Sequence, residues 1–126
     1  MNGIIKHTML IFIIIISMWM MYSSMMKLVG YPGMEESFLL WGYSKNFMLG
    51  VGAFELLLSI AIYVKATRVY ALLTLLVFMT AAIYTHLSNG EYDQINTAIF
   101  LVILSTICLW FIWLLDRATN FDRTSK

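Results

Sequence analysis

Charged residues break the chain into four long apolar runs. The first extends over residues 8–26, the second over 46–64, the third over 69–87 and the fourth over 94–115. Each is close to the ~20 helical residues needed to cross a hydrocarbon slab with every backbone group bonded internally. None alternates with period two, which argues against a transmembrane barrel. The pattern predicts an all-α fold, a four-helix transmembrane bundle forming a single integral membrane domain over residues 1–126, with a tail at 117–126.

The connections differ in kind. Lys65-Ala66-Thr67-Arg68 is short enough to make the second and third helices antiparallel neighbours. Ser88-Asn89-Gly90-Glu91-Tyr92-Asp93 is an acidic turn broken at Asn-Gly. Residues 27–44 form a longer insert holding the only proline, Pro32. Glu35 and Glu36 there suit the positive end of a helix, Met34, Phe38 and Trp41 recur at helical spacing, and Gly42 closes the turn. A short amphipathic helix over 34–41 in the outer headgroup region is expected, the alternative being a structured loop with interfacial anchors. Lys6 before the first run imitates a signal peptide, but the run is longer than a typical signal core. No small-x-small cleavage site occupies 22–26, so a retained helix is expected.

Composition narrows the class. Only 12% of the 126 residues are charged and 61% are hydrophobic, against about 25% charged in soluble domains, so the lipid bilayer is the expected medium. A net charge of +1 without a basic cluster leaves no footprint for nucleic acid. Cys108 is the only cysteine, which excludes an internal disulfide and a CxxC redox pair. With four spans, Lys6, Lys65, Arg68, Arg117, Arg123 and Lys126 share one side against Lys27 and Lys45 on the other. The positive-inside rule then predicts a multi-pass protein with both termini in the cytoplasm. Trp110 and Trp113 read as inner interfacial anchors.

The second run carries a single charge, Glu55, about 15 Å along the helix from Lys45 and near the midplane. A carboxyl there costs roughly 2.5 kcal/mol or more, so something must compensate for it. Gly52, Glu55 and Ser59 share a face beside Gly50 and Ala53, where a neighbouring helix can approach closely. The other helices offer weakly polar seams: Ser17, Ser24 and Lys27 with Met20 and Met21; Thr74, Thr80, Ala81, Tyr84, Thr85 and His86; and Asn96, Thr97, Ser105 and Cys108. Lys27 and His86 stand at outer helix ends, so a direct bridge from either to Glu55 needs an inward reach or a recessed, wet outer face. Ser24, Thr80 and Tyr84 lie at intermediate depth as easier hydrogen-bond partners. A dry Glu55 is neutral, whereas a wet one or one paired with Lys27 stays ionised. Glu55, Lys27, His86, Tyr84, Ser24, Thr80 and Asn96 are therefore the candidates for ligand binding or proton relay.

Other chemistry weighs less. Ten methionines read as adaptable filler rather than a soft copper site, and His86, Glu91 and Asp93 lack diagnostic ligand spacing. No Ser-His-Asp grouping, phosphate-binding glycine loop or HExxH motif specifies catalysis, and no metal site is expected.

The chain resembles the DoxX-like group of the DoxX/DoxD superfamily of small four-helix membrane proteins. The resemblance rests on Ser24 to Lys27 ending helix one, Gly42-Tyr43 before helix two, and Gly50-Val51-Gly52-Ala53-Phe54-Glu55 within it. Lys65 to Arg68 at the hairpin and Ala81 to His86 complete it, over about Ile11 to Ile112. Many relatives carry a glycine shortly after the helix-two glutamate, where Leu58 and Ser59 stand here. The family takes its name from subunits associated with a thiosulfate:quinone oxidoreductase, but no residue of this chain identifies that activity. The resemblance implies a compact four-helix bundle, multi-pass in the bacterial cytoplasmic (inner) membrane. The costly acid, the polar seams and the family name together lead to the expectation of an accessory subunit, in a membrane redox complex or a homo-oligomer, holding a quinone-like or other lipophilic ligand near Glu55. The competing expectation is a non-enzymatic assembly or interaction protein in which Glu55 is structural. A proton or solute carrier ranks third, because no inverted repeat or broken helix is visible.

Overall fold

The computed structural model describes residues 2–126, and every regular element among them is helical. In chain order these are α1 (Asn2–Leu28), α2 (Pro32–Leu40), α3 (Lys45–Ala61), α4 (Arg68–Ser88), a 3-10 turn (Tyr92–Gln94) and α5 (Ile95–Thr124). Helix ends do not coincide with the edges of the apolar runs. α1 begins at Asn2, ahead of the apolar stretch, and α5 continues through most of the segment expected to be a tail. No Gly or Pro interrupts residues 116–124, and the Arg117 guanidinium lies over the Trp113 ring, 4.7 Å from its centroid. α3 conversely ends at Ala61, short of Val64. Arg68 donates to the carbonyls of Ile62 and Tyr63, each at 2.9 Å, and the Thr67 hydroxyl donates to that of Ala61 at 2.7 Å. These side chains satisfy the carbonyls a helix end leaves open and favour its negative pole.

The expected short helix after α1 is present, opened by Pro32 in its first turn. Gly42, at φ 87°, ends the segment in the left-handed region. Around it Tyr43 N–H bonds the Phe38 carbonyl at 2.8 Å and Gly42 N–H that of Leu39 at 3.0 Å, the paired bonds of a Schellman stop. The chain then turns sharply: α2 and α3 are inclined at 114°. Three helical segments, α1, α4 and α5 with its 3-10 lead-in, are each long and apolar enough to cross a membrane. α3 passes the same test only together with α2, as a bent pair. The protein is thus a multi-pass membrane helical bundle with three such helices, or four if the bent pair is a span.

Packing divides the bundle into two pairs. α1 lies along α3, α4 lies along α5, and α1 against α5 joins the pairs. α3 and α4, although consecutive, touch little, and their seam is bridged by the Phe54 and Phe78 rings at 5.5 Å. The short connection expected to make them close neighbours therefore sets their order but not their contact. The apolar core occupies the half of the bundle nearest that connection. It is built from Met9, Ile13, Ile16 and Met20 of α1, Leu58 of α3 with Ile62, and residues 71–79 and 98–108 of α4 and α5. Ser17 and Ser59 are fully buried within this region, joined by a bond from the Ser17 hydroxyl to the Ser59 carbonyl at 2.9 Å. Seven residues later on α1 and seven earlier on α3, the Ser24 hydroxyl bonds the Gly52 carbonyl at 2.7 Å. Equal spacing on both helices fixes an antiparallel register, with small residues letting the backbones approach. Gly50 and Ala53, expected on that seam, are exposed instead.

Candidate functional site

At the other end of the bundle the helices part around a cavity of about 700 Å³. Its depth is set by the α1–α3 register. Gly52 packs on Lys27, which places the end of α1 level with a point seven residues inside α3, about 10 Å below the start of that helix. This end of the bundle is recessed there, and Met34, Ser37 and Phe38 of α2 line the recess.

The geometry explains how Lys27 reaches Glu55. Side chains tilt toward the N-terminus of their own helix, and α1 and α3 run in opposite directions. The lysine stem therefore leans down into the bundle while the carboxylate leans up. Lys27 Nζ lies 2.9 Å from Glu55 Oε2, with side-chain exposures of 8% and 6%. Ser23, one turn before Lys27, receives the ammonium on its Oγ at 2.6 Å and donates to the same Glu55 oxygen at 3.3 Å. Both donors converge on Oε2, and no described protein group bonds Oε1. Glu55, Lys27 and Ser23 all line the cavity.

A second polar group sits at the rim. Glu91 Oε2 accepts from Trp41 Nε1 at 3.1 Å and lies 2.7 Å from His86 Nδ1. The Trp41 indole also meets the His86 ring edge-on, with centroids 5.0 Å apart. Phe38, the buried residue of α2, packs on Trp41, Tyr43 and Phe47. The strap made by α2 is thus anchored to α3 by aromatic rings and to the α4–α5 connection by Glu91. Exposed Tyr92 and Asp93 complete that side of the lining, so the cavity runs from Glu55 to the surface. Its walls are mainly apolar and aromatic, including Trp19, Tyr22, Phe47 and Phe78.

Of the seven residues singled out in the sequence, Glu55, Lys27 and His86 share this cavity. The other four lie elsewhere. Ser24 is fully buried on the α1–α3 seam, bonded to Gly52. Tyr84 is 73% exposed. Thr80 is also exposed, its hydroxyl donating to the Leu76 carbonyl of its own helix at 2.8 Å. Asn96 is exposed beside the 3-10 turn, its amide reaching the Asp93 carbonyl at 3.4 Å. Tyr84, Thr80 and Asn96 have suitable chemistry, but their side chains fall outside the interior arc. Sequence reading overlooked Ser23 and Trp41 as site groups, and weighed Glu91 beside His86 only as a metal ligand. Ser23 stands four residues before Lys27, the spacing at which side chains on one helix meet, and that was the available signal.

The DoxX-like family model matches residues 11–109. The chain belongs to the DoxX-like family. No curated protein and no solved structure matches it significantly. In this DoxX-like protein the family match covers the whole of the cavity lining, since every lining residue falls between Trp19 and Leu101.

The rim yields a direct expectation. In Glu91→Ala the Trp41 and His86 hydrogen bonds are both lost. Bonds to a charged acceptor contribute about 1.5–3 kcal/mol each where no substitute exists, so α2 should open more often. Amide exchange in Pro32–Leu40 is expected to accelerate by about 10-fold or more, with α4 and α5 unchanged. Unaltered protection of α2 would mean that the Phe38 ring cluster alone holds the strap.

Proposed function

We propose that this DoxX-like protein is a non-catalytic accessory subunit of a membrane redox system that holds a quinone-like lipophilic ligand in the cavity above Glu55. The observation that carries the reading is a buried Lys27–Glu55 pair lining a mainly apolar cavity that reaches the surface. An ion pair needed only to join α1 to α3 has no reason to border such a space. The Lys27 ammonium is engaged by Ser23 and Glu55, whereas Oε1 of Glu55 has no protein donor. The free function is therefore an acceptor, suited to a hydroxyl such as that of a quinol, with Glu55 accepting or relaying its proton. His86 at the rim meets the polar edge of the ligand, and the aromatic walls hold its flat ring.

The same reading places the protein across a bacterial inner membrane as four spans, with α2 lying in the outer headgroup layer. The basic ends of α1, α4 and α5 then face the cytoplasm. Leu39 and Leu40, 57% and 80% exposed, give α2 an apolar outer surface that supports this position.

A second reading has its own support: Lys27 and Ser23 already satisfy the oxygen they meet, so the pair alone compensates for the acid in an assembly protein. Lipid extraction after purification in mild detergent separates the two. Enriched quinone with wild-type protein and its depletion with Glu55→Gln is the expected result. No enrichment, together with wild-type behaviour of Glu55→Gln, favours the structural reading.

A further inference from the structure

A second cavity, of about 470 Å³, lies at the opposite end of the bundle. Three cations from separate parts of the chain line it: Lys6 from α1, Lys65 from the α3–α4 connection and Arg68 from the start of α4. The one carboxylate in the lining is Asp116 of α5. Among the described residues the ion pairs involve Lys27, Lys45 and His86, so none of these three cations is paired with Asp116 or any other acid. Arg68 uses Nε and one terminal nitrogen on the carbonyls that end α3, and its other terminal nitrogen bonds none of the described residues. Unpaired cations of one sign gathered in a concave site focus a positive potential there.

Apart from Thr119, whose hydroxyl donates to the Leu115 carbonyl of its own helix at 3.0 Å, the remaining lining is apolar, from Met9, Leu10, Val69, Ile112 and Leu115. Leu10 and Val69 are 46% and 37% exposed, so this apolar wall continues onto the outer surface of the bundle. A soluble anion uses only the cations. A lipid uses both parts, placing its phosphate among Lys6, Lys65 and Arg68 and its first acyl carbons on Leu10 and Val69.

We infer that this groove is a binding site for the phosphate headgroup of an anionic membrane lipid. Basic pockets between transmembrane helices are suited to such headgroups, and each Lys or Arg near a membrane surface adds attraction for them. The site is separate from the Glu55 cavity, so its failure leaves the proposed function untouched.

The test titrates the full chain in mild detergent with dioleoylphosphatidylglycerol, dioleoylphosphatidylcholine or sodium phosphate, with bound species counted by native mass spectrometry. Phosphatidylglycerol is expected to bind at least about 10-fold more tightly than phosphatidylcholine, and Lys6→Gln/Lys65→Gln to weaken it by about 30-fold. Both lysines are exposed, so the variant retains the fold. The charge-matched control Arg123→Gln/Lys126→Gln, at the same end but outside the groove, is expected to bind like wild type. Equal binding of the two lipids, or an unaffected Lys6/Lys65 variant, overturns the site. An equal loss in the control would reduce it to general surface charge. Binding of phosphate as tight as that of phosphatidylglycerol would overturn the lipid assignment in favour of a soluble anion.

Discussion

Replacing Lys27 by methionine is expected to lower the unfolding free energy by about 3–5 kcal/mol, because it leaves the Glu55 carboxylate buried without a counter-ion. Methionine fills much of the lysine stem, so little of the loss comes from packing. The double variant Lys27→Met/Glu55→Leu should recover most of it, since exchanging a buried pair for apolar groups is often neutral or stabilising. Reversible unfolding in mixed micelles measures all three proteins. A Lys27→Met protein as stable as wild type, or a double variant no better than the single, would show that water in the cavity already screens the pair. The double variant also separates two contributions at the site: a stable bundle that no longer retains ligand identifies the charges as functional rather than architectural.

The two glycines beside Glu55 are expected to respond in opposite directions. A Cβ on Gly52 would stand 2.9 Å from Lys27 Cβ, 3.2 Å from Leu28 Cγ and 3.3 Å from the Ser24 carbonyl oxygen. None of the three is the free end of a flexible chain, so α1 and α3 must move apart. Gly52→Val is therefore expected to cost about 1–3 kcal/mol by overpacking, while stretching the Ser24–Gly52 bond and misaligning Lys27. A Cβ on Gly50 would meet no neighbour within 4 Å, and Gly50→Ala should gain up to about 1 kcal/mol of helix propensity. The same unfolding measurement on both variants checks the contrast. Equal effects would mean that the α1–α3 seam is looser than its hydrogen bonds indicate.

Much of this arrangement was legible in the sequence, and the part that was not has an identifiable cause. Apolar run length located the long helices, and the single carboxyl in one run is the residue found paired with Lys27 at the cavity. Family resemblance carried by Gly50 to Glu55 and Ala81 to His86 agrees with the match over residues 11–109. The Lys27–Glu55 bridge was harder to foresee. Counting from the loops set Lys27 and Lys45 at one level, whereas the seam staggers their helices by about two turns. Such a stagger depends on which small residues meet across a seam, here Ser17 with Ser59 and Ser24 with Gly52, and no single-helix pattern contains it. Rotation was the second gap. Tyr84, Thr80 and Asn96 have suitable chemistry but face outward, because a polar residue in an apolar helix can satisfy itself on its own backbone, as Thr80 does. The rim cluster of Trp41, His86 and Glu91 joins three separate segments and became visible only once the strap had a position.

The stagger between α1 and α3 also bears on the order in which the protein is made. Lys27 is synthesised before Glu55 and ends the helix on which α3 will pack. Where the bent α2–α3 pair is a span, its acid follows its counter-ion along the chain, and pairing with Lys27 offsets the insertion penalty that an isolated carboxyl carries. α3 is also the shortest of the long helices, at 17 residues, and the one that carries the charge. The seam with α1 is therefore the template on which the charged helix is received, and the chain carries both halves of the ion pair itself.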